Sequence, residues 1–67
     1  MRIKILLKQI RKERGLSLKD LERMTGISKS HLNNIERGEK GPSLFVMVRI
    51  AIALNIDVKE LYEVSKW

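Results

Sequence analysis

The sequence predicts an all-α domain of five short helices, and three observations carry that expectation. Apolar residues recur at spacings of three and four through most of the chain. Side chains that cap helix N-termini, Ser17, Ser28, Ser43 and Asp57, each stand just before such a segment, and Gly15, Gly38 and Asn55 stand where segments stop. With 67 residues, the chain has room for one thin core and a single domain, residues 1–67.

Helix 1 follows from Ile3, Leu6, Leu7 and Ile10, with Gly15 as its stop. Arg2-Ile3-Lys4-Ile5 also alternates, which would suit a short edge strand in place of the first helical turn. Ser17 opens helix 2, which runs from Leu18 to about Met24, with Asp20 placed to complete a capping box. Ser28 opens helix 3, Lys29 to Arg37, stopped by Gly38. Glu39-Lys40-Gly41-Pro42 is a loop. Ser43 opens helix 4, which runs to about Leu54 with Asn55 behind it. Asp57 with Glu60 opens helix 5. Leu16/Leu21, Ile27/Leu32 and Ile56/Leu61 are spaced as hydrophobic staples, so the local signals agree with one another.

Composition excludes several functions. There is no cysteine and one histidine, so no disulfide, metal cage or cofactor is expected. No apolar run is longer than the five residues of Leu44 to Val48, far short of a membrane span, and charge interrupts the N-terminal stretch too often for a secretory signal. A cytoplasmic protein is expected. Ser17, Ser28, Ser30 and Ser43 have only His31 as a possible base, and three of them are explained as caps, so an enzyme is not expected. The net charge of +6 lies wholly in residues 1–40, which hold eleven basic and five acidic side chains; residues 41–67 are neutral. A basic field of that kind points to a polyanion, most often nucleic acid.

The junction of helices 2 and 3 sharpens this. Only Thr25-Gly26-Ile27 separates them, and Gly26 admits the left-handed turn a tight corner needs. Leu21, Ile27, Leu32 and Ile35 are spaced to pack the pair at a steep angle, the helix-turn-helix arrangement, here residues 18–37. The ordered set Gly15-Leu16-Ser17, Leu21, Thr25-Gly26-Ile27-Ser28, Leu32, Ile35-Glu36-Arg37-Gly38 and Pro42-Ser43-Leu44 closely resembles the lambda-repressor-like, Cro/Xre-type DNA-binding domain, over about residues 5–62. The resemblance implies a five-helix repressor-type domain that binds double-stranded operator DNA, usually as a two-fold dimer. Two positions depart from the family's habit. Leu18 replaces a glutamine that reaches phosphate, and Glu22 replaces a small residue where helices 2 and 3 cross.

On helix 3, no carboxylate occurs from Ser28 through Asn34. Lys29, Ser30 and Asn34 match the family's principal base-reading positions, and their chemistry suits guanine, either base, and adenine respectively. Ser28, Asn33 and His31 are secondary or phosphate-contact candidates, His31 being most simply a solvated ring. Ser17 and Lys19 stand at the start of helix 2, where backbone N–H groups face a phosphate. Arg37 and Lys40 are candidate phosphate clamps, which set register without reading sequence. The resemblance also implies that Arg11 and Glu36 form an ion pair inside the fold. Helix 1 carries further lysines, but its apolar face is needed for the core, so no membrane binding is expected.

Helix 4 carries two apolar stripes. Leu44, Met47, Ile50, Ala51 and Leu54 make the core face. Phe45, Val48 and Ile52 fall together in a separate sector about 60° wide. A second row of this kind marks an interface. The segment 43–67, with Tyr62 and Trp67, is therefore expected to build a homodimer, unless the C-terminal tail folds back over the row. The readings in contention are a sequence-specific regulator, an antitoxin-like or anti-repressor module with secondary DNA binding, and a nonspecific nucleic-acid binder. No small-molecule ligand is expected.

Overall fold

Four α-helices, one 3-10 turn and a two-stranded sheet make up the computed structural model, which describes residues 1–39 and 41–66. The order is β1 (Arg2–Ile5), α1 (Leu7–Glu13), α2 (Leu18–Thr25), α3 (Lys29–Arg37), α4 (Leu44–Leu54), the 3-10 turn Val58–Leu61 and β2 (Tyr62–Ser65). The strands pair antiparallel, Arg2 opposite Ser65 and Ile5 opposite Tyr62. The expected five-helix, all-α fold is thus corrected to four helices with a small sheet.

The correction has one physical cause at both ends. Asp57 does cap its segment: its Oδ1 accepts the Lys59 N–H at 3.1 Å, and Glu60 Oε2 accepts the Asp57 N–H at 2.9 Å. Only one turn follows, because Tyr62 is already extended, with φ −147° and ψ 159°. Its backbone pairs with β1 instead of continuing a helix, and Tyr62 and Val64 are good strand formers. The same pairing takes Ile3 out of helix 1. The Leu6 N–H donates to the Leu61 carbonyl at 2.7 Å, and α1 begins only at Leu7.

The remaining caps follow local chemistry. Ser17 Oγ accepts the Asp20 N–H at 3.0 Å and Asp20 Oδ2 accepts the Ser17 N–H at 2.8 Å, a reciprocal box. Ser28 and Ser43 accept the His31 and Val46 N–H groups, both at 3.1 Å. Asn55 closes α4 at φ 57°, a conformation asparagine tolerates. Arg14 donates to the Leu54 carbonyl, placing a cation at the negative end of α4.

The core gathers Leu7, Leu21, Ile27, Leu32, Ile35, Met47, Ile50, Ala51, Leu54 and Leu61. Every helix contributes, and a fully buried leucine or isoleucine among them stabilises the fold by about 1.5–3 kcal/mol. Leu44 does not join them. It is 74% exposed, because it is the first residue of α4 and sits at the margin of the core stripe, before the packing that begins with Val46 and Met47.

Candidate nucleic-acid interface

The α2–α3 corner is closed by side chains that take up the turn's N–H groups. Gly26 adopts φ +74° and donates to the Glu22 carbonyl at 2.8 Å. Thr25, buried at the end of α2, donates its hydroxyl to the Leu21 carbonyl at 2.7 Å and accepts the Ile27 N–H at 3.1 Å. Ser28 caps α3 from below the His31 N–H. Glu22 reaches across the corner, its Oε2 accepting the Lys29 N–H at 2.9 Å. A Cβ built on Gly26 would stand 2.9 Å from Arg49 Nη2 of α4. Gly26→Ala is therefore expected to cost about 1–2 kcal/mol, mainly from the left-handed backbone. That is a fall in melting temperature of roughly 4–16 °C for a domain this size, read by circular dichroism. An unchanged melting curve would show that the corner tolerates a side chain.

Leu32 and Ile35 pin α3 to the core, which leaves the other side of the helix outward. Lys29, Ser30, His31, Asn34 and Arg37 are exposed, Ser28 is exposed at the helix start, and Asn33 is half-buried at the side. Lys29, Ser30 and Asn34 thus share an open helical surface. Ser17 and Lys19 are exposed at the start of α2. The hydroxyl of Ser28 acts as an acceptor in its cap, so it keeps its O–H proton to give to another group. Hydrogen bonds from the Ser17 backbone and side chain, then from Arg23, hold the Asp20 carboxyl below its ordinary range, so α2 carries a fixed negative charge in its first turn. Leu18 is half-buried against the core, which is what this chain does with the position in place of a polar reach outward. Arg37 Nη2 lies 3.1 Å from Glu39 Oε1, an exposed pair that an incoming phosphate can displace at little cost. Lys40 lies outside the described residues.

Arg11 and Glu36 meet inside. Arg11 Nε donates to Glu36 Oε2 at 2.7 Å and Arg11 Nη2 to Glu36 Oε1 at 3.1 Å, and Arg11 Nη1 donates to the Leu16 carbonyl at 2.9 Å. The side chains are 12% and 4% exposed. The Glu36 hydrogen bond raises the Arg11 pKa above its already high ordinary value. This pair ties α1 to α3 and stands behind the exposed surface.

The α4 row is open. Phe45 is 73% and Ile52 74% exposed, with Val48 at 38%. β2 runs along β1, and no described residue of the C-terminal segment buries Phe45 or Ile52. Tyr62 is half-buried and lines an open groove of about 1000 Å³ with Leu44 and Met47. Trp67 lies outside the described residues. Sequence reasoning missed the brace from Glu22, the seat of Arg49 above Gly26 and the reach of Arg14 to α4. The signal for the first was present: a carboxylate midway along one helix with the start of the next only seven positions away.

A helix-turn-helix family model matches residues 7–61. The chain is 46% identical over 50 residues to the HTH-type transcriptional regulator SutR of Escherichia coli K12, covering 75% of this chain and 28% of that protein. It is 36% identical over 58 residues to the HTH-type transcriptional regulator SinR of Bacillus subtilis 168, covering 85% and 52%. It is 38% identical over 56 residues to the ImmF control region 10 kDa protein of Bacillus phage phi105, covering 84% and 62%. The chain therefore spans less than two thirds of the length of each of these relatives.

Proposed function

The chain belongs to the Cro/Xre-type helix-turn-helix family, and from that premise we propose that it is a sequence-specific regulator of transcription that reads double-stranded DNA with α3. The observation that carries the reading is the exposed surface of α3, where Lys29, Ser30 and Asn34 stand clear of the core and no carboxylate interrupts the helix from Ser28 through Asn34. In this reading α3 lies in the major groove. Lys29 donates to guanine O6 and N7, Asn34 pairs with adenine N6 and N7, and Ser30 serves either base. Ser17, Lys19, Ser28, Asn33, His31 and Arg37 serve as sugar-phosphate contacts that set register, and Lys40 takes the same role in this reading.

The protein acts as a repressor-type homodimer, residues 43–67 forming the interface through Phe45, Val48 and Ile52 with Tyr62 and Trp67. A two-fold pair places the two α3 helices about 34 Å apart, one turn of the duplex, so the operator is a pseudo-palindrome. The neutral charge of residues 41–67 suits a face turned to a like-charged copy and away from phosphate. Selection of bound sequences from a random duplex pool tests the reading directly: a symmetric site supports it, and equal binding of all sequences overturns it. On the selected duplex, Lys29→Ala and Asn34→Ala are each expected to cost about 1–3 kcal/mol and to relax preference at one base pair. Equal loss on every sequence would reduce them to phosphate contacts.

A further inference from the structure

We propose that Glu22 is a positioning residue for α3, setting through a single hydrogen bond where Lys29 and Ser30 stand against a duplex. The inference rests on the DNA-reading role of α3 given above. Its ground is the corner itself. Glu22 sits in the middle of α2, yet its Oε2 accepts the N–H of Lys29, the first residue of α3, at 2.9 Å. Among the described residues Glu22 forms no ion pair. The residue as a whole is half-buried, the hydrogen bond itself lies at the exposed surface, and the carboxylate is spent on a backbone amide, which is a bracing role and not a charge-pairing one.

The brace complements another on the inner side. Thr25, buried, fixes the end of α2 to Ile27. That bond governs the turn but not the helix beyond it. Glu22 spans the turn and holds the first peptide of α3 against the body of α2. Without it, the first turn of α3 is held by its own Ser28 cap and by Ile27 and Leu32 in the core. Lys29 and Ser30 precede Leu32 and are exposed, so their backbone has the greatest freedom to move once the brace is gone. Paired hydrogen bonds to a base edge tolerate displacements of only about half an ångström, so a small drift there reaches discrimination before it reaches stability.

The carboxylate has a second effect, separable from the first. It places one negative charge at the start of a helix whose other residues through Asn34 are neutral or basic. That charge opposes any phosphate nearby, whatever the sequence, and so weakens binding to every duplex alike, leaving the ratio between them unchanged.

Two substitutions separate the hydrogen bond from the charge. Glu22→Gln keeps an acceptor oxygen and loses the charge; Glu22→Ala loses both, and alanine is the better helix former, so α2 is not weakened. Each variant is measured against wild type for the ratio of affinities on the duplex selected from the random pool and a scrambled duplex, and for hydrogen exchange at the Lys29 amide. Glu22→Ala is expected to lower that ratio about tenfold and to speed Lys29 exchange with little change in melting temperature. Glu22→Gln is expected to keep the ratio and the protection while binding both duplexes more tightly. An unchanged ratio in Glu22→Ala overturns the proposal, as does a Glu22→Gln variant that loses discrimination as far as alanine does. A wild type with no preference between the duplexes overturns the DNA reading and this proposal with it, whereas a discriminating wild type with an indifferent alanine variant overturns this proposal alone.

Discussion

Arg11→Ala is expected to remove a large share of the chain's stability, about 3–5 kcal/mol. The substitution strips Glu36, 4% exposed at the side chain, of both its guanidinium hydrogen bonds, and it also releases the Leu16 carbonyl. Removing one partner of a buried pair costs about 3–5 kcal/mol, since the other charge stays buried and uncompensated. A domain of this length has only about 3–10 kcal/mol of total stability. Urea unfolding followed by circular dichroism reads the loss. The informative companion is Arg11→Met with Glu36→Leu, which fills the space with apolar atoms and is expected to recover most of the stability. Since burial of a charge is what makes the single variant costly, a double variant as unstable as the single one would contradict this account. Arg11 is held charged, with its pKa raised, so its folded-state advantage is present in full at neutral pH and fades only as pH rises through that high value.

Phe45→Glu combined with Ile52→Lys is expected to convert the proposed dimer into a folded monomer. Both side chains are about three-quarters exposed, 73% and 74%, so neither supports the core and the melting temperature of the single chain should hold. Sedimentation reads the mass. Operator binding should fall by about a hundredfold or more, because the second half-site contact is no longer intramolecular. A wild type that sediments as a monomer at tens of micromolar would remove α4 from the interface.

The helix-turn-helix core was legible because its information is local. Ser17, Ser28, Ser43 and Asp57 each satisfy N–H groups within three residues of themselves, and Gly15, Gly26, Gly38 and Asn55 each adopt the left-handed conformation their place requires. Such signals are written side by side in the chain. The sheet was not legible for the opposite reason. The alternation of Arg2-Ile3-Lys4-Ile5 does mark an edge strand, but its partner begins at Tyr62, at the far side of the sequence, and nothing local joins the two. Asp57 and Glu60 promised a helix and made their box, but strand pairing took the residues that would have extended it. Leu44 shows how periodicity fails at a helix start: the spacing was right, and no neighbour was there to meet it. In the candidate site, the outward residues of α3 followed by subtraction once Leu32 and Ile35 were assigned inward. Glu22 did not: its spacing of seven from the start of α3 was there to read, but its partner is a backbone amide, which no residue type announces.

The pairing of β1 with β2 also has a bearing on the order in which the molecule assembles. Bringing Arg2 beside Ser65 closes a ring of nearly the whole chain, and closing a loop of about sixty residues costs roughly 3–4 kcal/mol of chain entropy. Four residues on each strand, most of them exposed, cannot offset that alone. The helices therefore nucleate first, α2, α3 and α4 from their own caps, and the strands seat on a core already in place. The same asymmetry runs backwards. Unzipping the strands opens the clasp from Leu6 to Leu61 and leaves the braces of the α2–α3 corner untouched. The braces of the α2–α3 corner thus do not depend on the clasp's own hydrogen bonds, and the molecule frays first at its strands.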